Sequence, residues 1–213
     1  MSENEKTVDQ EIIRFYKVGD QERALKLFTN QYQTKLYSLA YRMLGNHDDA
    51  MDALQEILLQ VHRSLRNFKG QSSLYTWVYR LSSNVCFNFR KKRSRTSNQI
   101  EWEESLQGVM LPIERPNEDP DKMCETKYKQ FLVQQAILKL PETQRVLLIL
   151  HDLEGIPVPE VASILNINTN AAKSRIHRGR AALRNIISKG FVVKGMEGVG
   201  VGIFTAEDSN KIM

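Results

Sequence analysis

Two stretches of the chain carry side chains that could do chemistry on a polyanion. The first runs from Phe68 to Arg95, FKGQSSLYTWVYRLSSNVCFNFRKKRSR. A short polar loop, Lys69 to Ser73, precedes a helix-patterned segment holding Tyr75, Trp77, Tyr79, Phe87 and Phe89, and the stretch closes on Arg90, Lys91, Lys92, Arg93 and Arg95. Aromatic faces beside guanidinium and ammonium groups are suited to stacking unpaired bases and holding their phosphates. The second stretch is a helix-patterned run from Thr169 to about Ser188 that offers Lys173, Ser174, Arg175, Arg178 and Arg180. Arginine matches guanine O6 and N7 bidentately in a major groove, and Lys, Ser and Arg also take phosphates.

Other chemistries find no support. His47, His62, His151 and His177 are scattered, and Cys86 and Cys124 form no CxxC pair, so no metal-ligand spacing is present. Phosphate-cradling glycine loops, a nucleophile elbow and a dinucleotide fingerprint are all missing from the sequence. The chain reads as non-catalytic, with no cofactor. Two cysteines are too few for a disulfide framework and read as free thiols in a reducing compartment. The polar start MSENEKTVDQ lacks the apolar core of a signal peptide, and no apolar run reaches the length of a membrane span. The expected setting is therefore cytoplasmic, without membrane insertion.

Charge is segregated along the chain. The net charge of +5 is mild. Between Glu101 and Glu125, however, eight acids (Glu101, Glu103, Glu104, Glu114, Glu118, Asp119, Asp121, Glu125) face only Arg115 and Lys122, and from Lys173 to Lys194 seven bases occur with no acid. Such blocks suit a nucleic-acid binder with an acidic connector.

Helices must position both stretches. Helical spacing runs through Ile12, Ile13, Phe15 and Tyr16, breaks at Gly19-Asp20, and resumes at Ala24, Leu25 and Leu27-Phe28. A further stripe, Leu36, Leu39, Ala40, Met43 and Leu44, ends at Gly45-Asn46. Asp48 or Asp49 is expected to cap a long helix with the apolar face Ala50, Ala53, Leu54, Ile57, Leu58, Val61 and Leu65. In the aromatic stretch Leu74, Val78, Leu81 and Val85 define a buried stripe with Trp77 beside Leu81. Tyr75, Tyr79, Asn84 and Asn88 are expected off it.

Periodicity fades from Ser94 to Lys122, where Pro112, Pro116 and Pro120 join the acidic block, as in a flexible, self-repelling linker. Beyond it, helical pattern returns around Phe131 to Leu140 and again from Pro141 to Gly155. Pro159 to Leu165 reads as a short helix, Asn166 to Asn168 as a turn, and Thr169 onward as the basic helix, which is the arithmetic of a helix-turn-helix. Ala162 suits a close helix crossing and Asn166 a positive φ. The fold class is all-α, with two small helical domains. The expected divisions are 1–95, a linker at 96–124, a helix-turn-helix domain at 125–190, and a Gly-rich tail at 191–213.

Two segments together resemble a known family. LPETQRVLLILHDLEGIPVPEVASILNINTNAAKSRIHRGRAALR is similar to region 4 of bacterial sigma factors of the extracytoplasmic-function group, and DDAMDALQEILLQVHRSLRNFKGQSSLYTWVYRLSSNVCFNFRKKRSR is similar to their region 2. The resemblance covers most of residues 10 to 188. It implies a dissociable specificity subunit of RNA polymerase, with core polymerase (the β′ clamp and β) and promoter DNA as partners and an anti-sigma factor as regulator. By the same resemblance Asp52, Gln55 and Glu56, with Asp48 and Asp49 just ahead, dock on the polymerase clamp. Lys69, Ser72 and Ser73 with Tyr75, Tyr79, Asn84, Asn88, Arg90, Lys91, Lys92 and Arg93 take the single-stranded −10 element, and Lys173, Ser174, Arg175, Arg178 and Arg180 take the −35 duplex. Met51 and Ala53 depart from the family's pattern, as do Asn170-Ala171-Ala172 at the start of the last helix and Pro157 before the preceding one. A stand-alone helix-turn-helix regulator is the alternative, and it leaves the aromatic-basic stretch and the acidic helix without a role.

Overall fold

The computed structural model describes the backbone of residues 3–96 and 130–190, and the side chains of residues 7–92 and 130–188. The chain divides into two compact units, Met1–Glu104 and Ser105–Met213. Every regular element among the described residues is helical. The stretches expected as linker and as tail lie outside the described residues, except that Thr96 closes a helix.

The first unit packs α1 (Glu3–Lys17), α2 (Gln21–Leu44), α3 (His47–Ser64) and α4 (Leu74–Thr96), with a 3-10 turn at Leu65–Asn67 after α3. Asp20 starts α2 by accepting a hydrogen bond from the Arg23 amide at 3.2 Å, a side-chain cap for an otherwise orphaned donor. The two stripes read on either side of Phe28 belong to one helix, because no residue between them breaks it. Ala24, Phe28, Tyr32, Leu36, Leu39, Ala40 and Met43 are all buried along its length. The helix stops at Gly45, whose φ of 89° is the left-handed geometry a terminating residue needs.

The cap of α3 differs from expectation. Asn46, one residue before the helix, accepts from the Asp49 amide at 2.8 Å, and its own amide group donates to the Asp49 carboxylate at 2.6 Å. Asp48 and Asp49 therefore sit inside the first turn, where negative charge meets the helix dipole favourably, and do not cap it. The core is closed by aromatic and polar ties. Phe28 and Tyr32 stack at 4.8 Å, and the Tyr32 hydroxyl donates to buried Asp9 at 2.7 Å, joining α2 to α1. Tyr16 donates to the His62 carbonyl at 2.6 Å, joining α1 to the end of α3.

The second unit contains α5, described over residues 130–138, then α6 (Glu142–Leu148), a π-helical turn (Ile149–Leu153), α7 (Val158–Ile164) and α8 (Thr169–Gly190). Arg145 is its unforeseen centre. This guanidinium is buried, and it donates to the carbonyls of Ile137 and Leu140 at 3.0 Å each and to that of Leu138. It thereby satisfies the carbonyls left open where α5 ends. Pro157 precedes α7 and Pro159 stands in its first turn, where no amide partner is lost.

The turn between α7 and α8 is a Schellman arrangement. Asn166 takes a φ of 52°, the Ile167 amide donates to Ala162 at 2.9 Å, and the Asn166 amide donates to Ser163 at 3.3 Å. Asn168 then accepts from the Asn170 amide at 2.8 Å and opens α8. Ala162 is buried, as the crossing requires. No described helix is long and apolar enough to cross a membrane.

Candidate nucleic-acid interface

The loop ahead of α4 presents Lys69 and Gln71 to solvent, with Ser72 half-buried. Ser73 is exposed but already has a structural task. Its hydroxyl accepts from the Thr76 amide at 3.0 Å and meets the Thr76 hydroxyl at 2.8 Å, which makes it the cap of α4. Phe68 closes the loop against Trp77, ring centroids 5.4 Å apart.

The faces of α4 correct the sequence reading. Leu74, Val78 and Val85 are buried as expected, but the buried side continues through Tyr79, Ser82, Ser83 and Cys86. Tyr79 is only 1% exposed, so it is core and cannot stack a base. Its neighbour Tyr75 is half-buried against it. Trp77 and Leu81, expected in the core, are only half-buried. At 100° per residue Trp77 falls on the same side as Arg80, Asn84, Asn88 and Lys91. Asn84, Asn88, Lys91 and Lys92 are exposed, and Arg90 is half-buried. The side chain of Arg93 lies outside the described residues. The outward face of α4 is therefore one aromatic, two amides and a basic end. Trp77 is the surface aromatic that the stripe argument hid, because its spacing to Leu81 imitates a core pair.

Cys86 lies on the opposite, inward side. Burial pushes its thiol up to about 12, so it stays protonated and unreactive. Cys124 lies outside the described residues, and no group of three or more metal-capable side chains occurs among those described.

On α3, Asp48, Asp52 and Gln55 are exposed, while Asp49 and Glu56 are half-buried. Asp49 is engaged with Asn46, and Glu56 accepts from Gln60 at 2.8 Å. Two apolar side chains stand in the same face, Met51 at 37% and Leu59 at 48% exposure, one turn either side of Gln55. Only the acids were legible as site candidates. The apolar pair escapes a reading that looks for charge.

On α8 the buried stripe is Ala172, Ile176 and Gly179, with Leu183 half-buried beyond it. Opposite lie Lys173, Ser174 and Arg178, all exposed, with Asn170 and His177, which the sequence reading passed over. Arg175 is half-buried at one edge. Arg180, at the other edge, is the second correction. Its Nε donates to Asp152 Oδ2 at 3.1 Å and its Nη2 to Asp152 Oδ1, so it holds α8 to the π-turn. The hydrogen bond to Asp152 raises its pKa above the ordinary guanidinium value. A guanidinium committed to an internal carboxylate is not a free DNA contact.

Comparison with known proteins follows the same division. Residues 28–96 match Sigma-70 region 2, and residues 130–183 match Sigma-70, region 4. The chain is 30% identical over 187 residues to the ECF RNA polymerase sigma-E factor of Escherichia coli K12, spanning 85% of this chain and 95% of that protein. It is 30% identical over 182 residues to the RNA polymerase sigma-H factor of Pseudomonas aeruginosa, spanning 82% and 91%. In fold it resembles CnrH in complex with the cytosolic domain of CnrY, with a TM-score of 0.60, 16% identity, and 86% and 96% of the two chains covered. It resembles equally the sigma factor RpoE of Bartonella quintana in complex with the anti-sigma factor NepR, with a TM-score of 0.60, 21% identity, and 78% and 97% covered.

Proposed function

The chain belongs to the extracytoplasmic-function group of sigma-70 factors, which direct promoter-specific transcription initiation, and we propose that it does so through three surfaces on its two units. The observation that carries this reading is the order of the two sigma regions, 28–96 and 130–183, each with its outward face polar or basic where DNA would lie. The proposed division is residues 1–95 for polymerase and −10 binding, 96–124 as connector, 125–190 for −35 binding, and 191–213 as a tail.

The α3 face of Asp48, Asp52, Gln55, Met51 and Leu59 meets core RNA polymerase, with Asp49 and Glu56 shaping its edge. An apolar pair among carboxylates suits a partner surface that is apolar and basic. The loop from Lys69 to Ser73 and the outward face of α4 take the non-template −10 strand. Unstacking a base costs a few kcal/mol and a stacked aromatic returns about 1–3 kcal/mol. Promoter opening is then shared between this chain and the polymerase. In the second unit, Lys173, Ser174, Arg175 and Arg178 enter the major groove of the −35 duplex as the second helix of a helix-turn-helix.

On this reading the chain makes and breaks no bond, acts in the cytoplasm with the polymerase, and is held inactive by an anti-sigma factor that covers the same surfaces. Run-off transcription tests it. Core polymerase with this protein fires from a cognate promoter that core alone ignores. Failure to bind core and to initiate on any genomic fragment overturns the reading.

A further inference from the structure

Helix α8 touches α6 through a glycine. A Cβ built at Gly179 would lie 3.2 and 3.3 Å from Cγ and Cδ1 of Leu148 and 3.4 Å from Cβ of Gln144, so the two helices approach closely with no side chain wedged between them. A smooth contact of this kind resists separation but offers little against rotation of the helix about its own axis. The next residue supplies what is missing. Arg180 reaches Asp152 with both ends of its guanidinium fork, and a two-point contact fixes orientation as well as distance. Asp152 is a firm anchor, its side chain only 8% exposed. The π-turn that carries it has one residue more per turn than an α-helix, a device found at functional sites.

We propose that Asp152 and Arg180 are positioning residues for promoter selection: the pair sets the rotation of α8, and hence the aim of Lys173, Ser174, Arg175 and Arg178 at the −35 base pairs. This rests on the reading of α8 as the −35 helix. A roll of about 15° carries a side-chain tip ~6 Å from the helix axis through about 1.5 Å. That displacement is enough to take a bidentate base contact out of hydrogen-bonding range. Phosphate contacts, which are long-ranged and tolerant, survive the same roll.

The experiment uses holoenzyme assembled from core polymerase and the full-length chain. A promoter library randomised at −35 first gives the preferred element, and single-base variants of it measure discrimination. R180K keeps the charge but lacks the fork, and D152N removes the anchoring carboxylate. Each is expected to lose about tenfold in discrimination between preferred and mismatched −35 duplexes. Affinity for DNA lacking a −35 element stays within about twofold of wild type for R180K and is equal or higher for D152N, whose Arg180 is released. Because the two residues act through one contact, the double variant is no worse than the poorer single one. Thermal melting and core affinity verify the fold, and R180K carries the test if D152N unfolds the second unit. Full discrimination in R180K, or an equal loss on every duplex, overturns the proposal. A library with no enriched −35 sequence for wild type overturns the −35 reading itself, and this proposal with it.

Discussion

Tyr75 and Tyr79 stand one turn apart on α4 with their ring centroids 4.5 Å apart, and only Tyr75 has a share of the surface. Tyr79 belongs to the core at 1% exposure, while Trp77, on another side of the helix, is half-buried beside Phe68. Replacing Tyr79 by Ala is expected to destabilise the first unit by about 3–5 kcal/mol, as for other large buried aromatics. Trp77→Ala is expected to weaken capture of a single-stranded −10 oligonucleotide by holoenzyme by about 1–3 kcal/mol. Urea melts and oligonucleotide titrations of both variants separate the two effects. A Tyr79 variant of normal stability would contradict its place in the core.

Arg145 binds three carbonyls at the end of α5. Arg145→Met leaves those acceptors without their donor and is expected to cost the second unit about 2–4 kcal/mol. Arg145→Lys should restore only part of this, since a single ammonium cannot reach three directions as a planar fork does. Amide hydrogen exchange over residues 130–188 reads the loss directly, and binding to core polymerase through α3 should persist.

Cys86 sets a pH dependence whose sign follows from its burial. Its thiol is neutral in the folded chain up to about 12, against an ordinary value of 9.0. The unfolded chain loses this proton first as pH rises, so the contribution is fully present below pH 9 and is lost between the two values. The slope is about 1.4 kcal/mol per pH unit for one group. Subtracting the stability of Cys86→Ala from that of wild type between pH 8 and 11 isolates it. A flat difference would show that the thiol is more open to water than its position implies.

Asn166 holds a φ of 52° at the centre of the helix-turn-helix. Asn166→Gly should fold with stability within about 0.5 kcal/mol of wild type, because glycine accepts the same backbone without strain. Asn166→Val should cost about 1–2 kcal/mol and weaken −35 binding in proportion. Calorimetry together with a −35 duplex titration checks both.

The helices and the helix-turn-helix were legible because both are written in local spacing. Asn166 illustrates this: a residue tolerant of positive φ between two amphipathic runs announces a tight turn. What stayed hidden depends on partners distant in sequence. Arg145 looks like one more surface cation until the end of α5 is folded against it. Arg180 lies in a run of bases that all look alike, and only the position of Asp152, 28 residues earlier, distinguishes it. Tyr79 and Trp77 exchanged roles because the packing of four helices decides which side of α4 is covered, and the spacing of Leu74, Val78, Leu81 and Val85 fixed that side only approximately. Asn46 took the capping role from Asp48 and Asp49 because an amide can both accept and donate, closing two bonds where a carboxylate closes one.

The π-turn at Ile149–Leu153 gives the second unit an unusual form of adaptability. Its extra residue is a loop of slack inside a helix, and slack can be drawn in or let out. Deleting one residue there would swing everything downstream by about 100°, whereas exchanging Asp152 or Arg180 would shift it only slightly. A lineage of such chains can thus retune which promoters it answers to by coarse and fine adjustments made behind the DNA-facing surface, with every base-reading side chain left as it was.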